Sequence, residues 1–469
     1  MPIKSKRRSD VKARTYSDFR GGGLNLAASD RFLKENETGG GKNYCYERNG
    51  GRFRTLEPLE LIATMADNIT TIYPSLNFGL IVEANKGIHK IIGSTPTSIG
   101  TLNGTSSPQF CDWGEANERQ LIIASGSVVQ SYDGTTFATQ TPVPIDPDVP
   151  AGDKWNSASD AMVREGRLLL SETGKDRLKF SGVGDPTNWQ VVDNGSDVYT
   201  DADAIWVDIG YKEGGDIVKV IPLGRDLVVF RSDGNLYRLF GSYPNWEVIS
   251  IAQQVDPVSR NSIAPVGNDI MFLDKDRGIR KLSAIKEYDD FSIVEKEGGK
   301  VNAWLAGNFT TDARLWALPD RGEIWVKPNS GNVILCWSER YQGWTKIDLG
   351  SPILAVAELN GVTYLSIGKS LYKLNDSVVT PAIKPDMELP LAPYFANDRA
   401  LADYHEITVQ KDTGATVTLE YGDTWTMEVG DGKTVKYQKV LDDVIRPTLK
   451  STGGTVVLDE LTIGISEVV

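Results

Sequence analysis

Residues Asp226–Phe240 read DLVVFRSDGNLYRLF. Four apolar residues run together at Leu227–Phe230, a Ser-Asp-Gly-Asn turn follows, and a second segment then mixes Leu236, Leu239 and Phe240 with Tyr237 and Arg238. The apolar run is too short for a buried helix and suits a strand covered on both faces. The glycine in SDGN provides the backbone freedom that a tight hairpin turn needs. The stretch therefore predicts a β-hairpin whose first strand is fully buried.

The same unit recurs along the chain. It appears as LIVEANKGIHKI (80–91), LIIASGSVVQSYDG (121–134), RLLLSETGKDRLKF (167–180), DIMFLDKDRGIRKL (269–282), EIWVKPNSGNVILCW (323–337) and VTYLSIGKSLYKL (362–374). Equivalent positions such as Ile122, Leu169, Val228, Met271, Trp325 and Tyr364 fall about 40 to 60 residues apart, the spacing of propeller blades. A four-stranded blade cannot bury both of its faces alone, and radial stacking around an axis solves that problem. The fold class expected is all-β: a divergent β-propeller of six or seven blades over residues 55–380, with stacked β-sandwiches as the alternative. An extended N-terminal arm (1–54) would precede it. A small β-sandwich or barrel (381–469) would follow the proline-rich VVTPAIKPDMELPLAPYF, because YHEITVQKDTGATVTLEYGDTWTMEV (404–429) alternates strictly.

FSGVGDPTNWQ (180–190) raises the question of a phosphate-binding loop. Such a loop opens a helix and carries a lysine or a following Ser/Thr. Residues 186–199 contain no lysine and no helical apolar stripe. LFGSYPNWEVI (239–249) ends in the same Asn-Trp after a proline turn, QGWTKI (342–347) echoes it, and FCDWGE (110–115) is a weaker match. The expectation is a structural turn with Asp185 and Pro186, and with Trp189 and Trp246 as wedges between blades.

Composition narrows the function classes. The 469 residues include 46 glycines, 22 prolines and 11 tryptophans, which suits short strands and many turns. A net charge of −13 argues against wrapping duplex DNA. Cys45, Cys111 and Cys336 lack metal-site spacing, and their odd number argues for synthesis in a reducing compartment. No apolar run is long enough to span a bilayer. The basic start MPIKSKRRSDVKART has no apolar stretch behind it, so it reads as a solvated tail or an arm for an acidic partner, not a secretory signal.

Chemistry is sparse. His89 and His405 stand far apart with no nucleophile motif beside them. Glycoside hydrolysis needs only two carboxylates, for which Asp201, Asp203 and Asp208, or Asp112 and Glu115, are candidates. DKDRG (274–278) and DPDVPAGD (146–153) lack the ligand ladder of a calcium loop. SYDGTTF (131–137) spaces its Asp and Gly unlike a sialidase Asp-box. No catalytic residue, metal site or cofactor is expected.

The most individual stretch is FRGGGLNLAASDRFLKENE (19–37), followed by NYCYERNGGRFRTL (43–56). With FSGVGDPTNW (180–189), GRDLVVFRSDGNLYRL (224–239) and IAPVGNDIMFLDKDRGIRKL (263–282), it resembles the tail-nozzle family of short-tailed phages (podoviruses), the tail tubular protein B and packaged-DNA stabilisation proteins. The resemblance implies a non-enzymatic virion protein of the tail, made in the host cytoplasm. It implies a homohexameric ring beneath the adaptor and portal rings, neighbouring needle, plug or fibre proteins, duplex DNA passing without sequence-specific binding, and no membrane contact. On physical grounds, Phe19, Gly21, Gly22, Leu24, Asn25, Asn36 and Glu37 are candidates for docking to a neighbour or to the adaptor, since a polar, glycine-rich strand suits β-augmentation. The other reading of the same strand is that it closes the first blade. Alternatives of a different class are a propeller glycosidase or carbohydrate-binding virion protein, and a cytosolic propeller platform for other proteins.

Overall fold

The computed structural model describes residues 12–48, 50–140, 157–189, 203–210, 213–285, 290–294, 296–422 and 425–468. Each recurring hairpin forms the second and third strands of a four-stranded antiparallel blade, and seven such blades form a closed propeller. Blade 1 comprises Ile69–Ser75, Gly79–Ala84, Gly87–Ile92 and Thr95–Thr101. Blades 2 to 6 begin at Gln109, Ala158, Ile217, Ile263 and Arg314. Blade 7 takes three strands from Ile353–Leu359, Val362–Ile367 and Ser370–Leu374, and its outermost strand, Leu59–Thr64, from before blade 1. Pairing Leu59 with Leu374 and Thr64 with Ser370 ties the ring shut. Ile69 N–H donates to Gly368 O (2.9 Å) and Ser366 Oγ to Ile69 O (2.9 Å), which seals the same seam.

The apolar second strands now have a cause. Leu227 and Val229 pack toward blade 3, whereas Val228 and Phe230 pack toward blade 5. Leu121 and Ile123 face blade 1, and Ile122 and Ala124 face blade 3. Both faces of each blade are thus covered, and one hydrophobic cluster fills each interface between neighbours. Turn chemistry follows suit: Gly234 of SDGN (φ +81) and Gly368 of SIGKS (φ +57) take left-handed backbone. In NSGN the turn instead rests on Asn329 Oδ1, which accepts from Gly331 N–H at 2.8 Å.

The remaining strands build a β-sandwich. One sheet orders Met387–Pro390, Pro447–Thr452, Thr416–Tyr421 and Trp425–Glu428. The other runs from blade 6 through Tyr44–Tyr46, Phe53–Thr55, Val456–Val468, Tyr394–Lys411 and Gly432–Lys436. Lys12–Tyr16 pairs along Val456–Val468, and the sandwich core mixes Tyr16, Phe19, Tyr44 and Phe53 with Val417, Leu449 and Ile463. The expected segments 1–54 and 381–469 therefore lie at opposite ends of the chain but not apart in space: strands from both ends make one sandwich, joined to blade 6 at the Lys346–Tyr44 pair. Among the described residues, no helix is long and apolar enough to cross a membrane, and the three cysteines are free thiols.

Candidate functional site

The glycine-rich strand Gly23–Leu24 lies in parallel between Glu37–Thr38 and Trp344 of blade 6. Gly21 takes left-handed backbone (φ +66) in open space, whereas Gly22 and Gly23 are glycines because the backbone there is crowded. A Cβ on Gly22 would sit 1.8 Å from Asn36 O, and one on Gly23 (φ +75) would sit 2.3 Å from Trp344 O. Gly21 N–H donates to Tyr341 O at 2.7 Å. Glu37 is the buried hub: it accepts from Asn25 Nδ2 (3.0 Å) and Lys34 N–H (3.2 Å) and pairs with Lys300 Nζ (2.9 Å). Burial would raise its carboxyl pKa, but Lys300 and the two hydrogen bonds outweigh that and hold it below the usual range. Asn36 Nδ2 donates to Arg20 O at 3.0 Å, and Asn25 Oδ1 accepts from Ala27 and Ala28 N–H.

These seven residues do come together: Phe19, Gly22, Leu24 and Glu37 are buried, Asn25 and Asn36 are half-buried, and Gly21 is exposed. Phe19 stacks on Phe53 with centroids 4.1 Å apart, and both Phe19 and Leu24 are fully buried by the chain's own core. Both side chains are thus taken up by the chain's own packing, and the Gly23–Leu24 strand pairs within the chain. The strand also does not close blade 1; it braces blade 6.

The blade turns serve packing. Asp185 Oδ1 accepts from Thr187 N–H (2.8 Å) and Oγ1 (2.6 Å), shaping the turn around Pro186. It delivers Trp189, fully buried, among Trp113, Ile122 and Leu168 between blades 2 and 3. Trp246 stacks on Phe180 of blade 3 at 5.5 Å. Trp344 holds the matching outer-strand position in blade 6, while Trp113 ends an inner strand.

The chemical candidates are dispersed. Asp112 accepts from Ser75 Oγ (2.5 Å) and Leu76 N–H (2.8 Å), clamping blade 1 to blade 2, and Glu115 is exposed. Asp208 pairs with Arg177 at 2.6 Å within blade 3, Asp203 is buried near the start of the same strand, and Asp201 lies outside the described residues. Asp274 of DKDRG accepts from Asp276 and Arg277 N–H and pairs with Arg280, while Asp133 of SYDGTTF accepts from Thr135 and Thr136 N–H. DPDVPAGD lies outside the described residues. Among the described residues, no three metal-ligating side chains cluster. His405 is buried in the sandwich, with Nδ1 2.8 Å from Tyr421 Oη and Nε2 2.9 Å from Gln438 O. His89 lies on the third strand of blade 1.

What the sequence reading missed is the propeller's central channel. A cavity of about 260 Å³ opens among the innermost strands, lined by Thr71, Gln109, Lys219, Arg260, Asn261 and Arg314 together with Tyr73, Phe110 and Trp316. Side chains bridge it from blade to blade. Lys219 Nζ donates to Gln109 Oε1 (2.8 Å) and lies 3.6 Å from Asp160, and Gln109 Nε2 reaches Asn261 Oδ1 (3.4 Å). Arg314 Nη1 reaches Thr70 O (2.6 Å) and Leu354 O (3.2 Å), and Arg260 Nη2 donates to Ser159 O. Among the described residues, no Asp or Glu lines the cavity. One signal for the channel does exist. The inner strands of blades 1, 3, 4 and 7 each carry a register shift just before Thr71, Asp160, Lys219 and Ala355. Bulges of this kind re-aim side chains.

No protein-family model and no curated protein matches the chain. Among solved structures it is similar to the extracellular domain of BT4673 from B. thetaiotaomicron, at 10% identity and a TM-score of 0.47, covering 84% of this chain and 59% of that one. It is also similar to BamB from Moraxella catarrhalis (10% identity, TM-score 0.42, 68% of this chain and 97% of that one). YCF48 from Cyanidioschyzon merolae gives 11% identity and a TM-score of 0.43, with 68% and 100% covered. The chain thus spans about three fifths of the length of the BT4673 domain.

Proposed function

We propose that this protein is a structural subunit of the tail of a short-tailed phage, one copy of a nozzle ring that closes the DNA channel and conducts DNA on ejection. The observation that supports the reading most is where the family-like segment lies. The GGGLN strand and Glu37 sit at the seam between propeller and sandwich, pinned by Trp344 and Tyr341 of blade 6 and by Lys300 of the connection between blades 5 and 6. Weaving both chain ends into one sandwich, edge to edge with a blade, suits a block that must resist force without unravelling. The propeller's own channel is bridged by Gln109, Lys219 and Asn261. DNA therefore passes through a lumen formed between several copies, with the adaptor and portal rings above it.

Quantitative mass spectrometry of purified particles tests the reading. A nozzle ring on a portal predicts about half as many copies of this chain as of the portal protein. Absence from particles would refute it.

A further inference from the structure

We propose that the propeller channel is a binding site for a compact oxyanion, a phosphate or a small-molecule carboxylate, gripped by Arg260 and Arg314 with Lys219 and Thr71 beside them. This site is separate from the assembly role and does not depend on it.

Four features carry the inference. The first is unspent donor capacity. A guanidinium has five N–H donors in a rigid fork matched to carboxylate and phosphate oxygens. Among the described residues, Arg314 uses only Nη1, on two backbone carbonyls, and Arg260 uses only Nη2, on one. Among the described residues, neither has a carboxylate within ion-pair distance. The second is charge balance. Lys219, Arg260 and Arg314 stand around the cavity; Asp160 lies beside Lys219 but is already held by Val220 N–H (3.1 Å) and Ala161 N–H (3.2 Å), and Asp312 and Glu83 act on Arg314 only from beyond ion-pair distance. The third is an orphan hydroxyl. Thr71 Oγ1 is buried on the cavity wall with no hydrogen-bond partner, a state that costs free energy unless a ligand or water meets it. The fourth is size. A cavity of about 260 Å³ suits a compact anion.

Burial also works against both guanidinium charges. Asp160 offsets this in part for Arg260, as do Asp312 and Glu83 for Arg314, yet both remain below the usual arginine range. An anion seated between them would relieve that cost. Tyr73, stacked on Phe110 at 5.2 Å, and Trp316 form an apolar wall for whatever carries the oxyanion.

The test is isothermal titration of the full-length protein at low ionic strength with inorganic phosphate and, separately, with glucuronate, against matched chloride. The expected result is saturable one-site binding of at least one probe. Phosphate alone would identify a phosphate site, glucuronate alone a carboxylate site, and both a general oxyanion site. Arg260→Ala should weaken binding by roughly tenfold or more, in line with losing charged hydrogen bonds, and Thr71→Val should weaken it less without disturbing the fold. Arg314 is left intact because it ties blades 1 and 7 to blade 6. Absence of binding above chloride up to about 10 mM would overturn the proposal. So would affinity unchanged in both variants.

Discussion

Replacing Glu57 by Gln probes the weld between sandwich and propeller. Glu57 follows the sandwich strand Phe53–Thr55 and makes a two-pronged pair with Arg321 of blade 6, at 3.0 and 3.3 Å. Both side chains are almost wholly buried, at 7% and 3% exposed. Burial alone would raise the carboxyl pKa, but Arg321 and Arg54 bring it from 4.5 down to about 2. A group depressed in the folded state adds stability above its unfolded pKa and loses it as pH falls through the folded value. A shift of that size corresponds to about 3 kcal/mol at neutral pH, in the range expected for breaking a buried pair. Urea denaturation followed by tryptophan fluorescence should show Glu57→Gln less stable by about 3 kcal/mol at pH 7, shrinking to roughly 1 kcal/mol at pH 3, because a protonated Glu resembles Gln. A difference independent of pH, or smaller than about 1 kcal/mol at pH 7, would refute the reasoning.

Three further predictions rest on separate parts of the fold. Trp189→Ala empties the fully buried site between blades 2 and 3 and should cost about 3–5 kcal/mol, read as a lowered urea midpoint; a loss near zero would mean the turn is not a wedge. Gly22→Ala forces a Cβ against Asn36 O and should destabilise by about 1–3 kcal/mol by the same assay, with hydrogen exchange rising along residues 19–38. Burial lowers the His405 pKa despite its bond to Gln438 O, so the unfolded chain takes up the proton first. Stability should therefore fall as pH drops through about 6.5, and His405→Phe should remove that part of the pH dependence.

Legibility in the sequence followed the range of the interaction. All seven hairpins were readable because a strand buried on both faces, such as Leu227–Phe230, leaves a local apolar run. Asp185 and Trp189 were readable because the turn and its wedge are neighbours in the chain. The pairing of Leu59–Thr64 with Ser370–Leu374 leaves no such trace, since its partners lie some 310 residues apart. For the same reason the glycines of 21–23 and the burial of Phe19 read as an open arm. The crowding at Gly22 and Gly23 comes from Asn36 and Trp344, and Phe19 is covered by Phe53, none of which a local pattern identifies. Channel residues were hidden differently: one polar residue per inner strand is indistinguishable from surface alternation until blade phase and bulge position are known.

The charge distribution separates two kinds of opening. A net charge of −13 with Lys219, Arg260 and Arg314 gathered in the channel leaves the remaining surface more acidic than the total suggests. Basic linings retain phosphates through counterion release, whereas acidic ones let a duplex slide. The small basic opening inside each propeller and a large lumen between copies would therefore act oppositely on phosphate. The first is bridged by side chains and sized to hold a compact anion, and the lumen of the proposed ring would pass DNA without holding it. A duplex threaded through the propeller axis would have to break the Gln109–Lys219 and Arg314–Thr70 bonds that lock blade to blade. Conduction through the axis would thus dismantle the ring closure that makes the subunit rigid, which is why the proposed conduit lies between subunits.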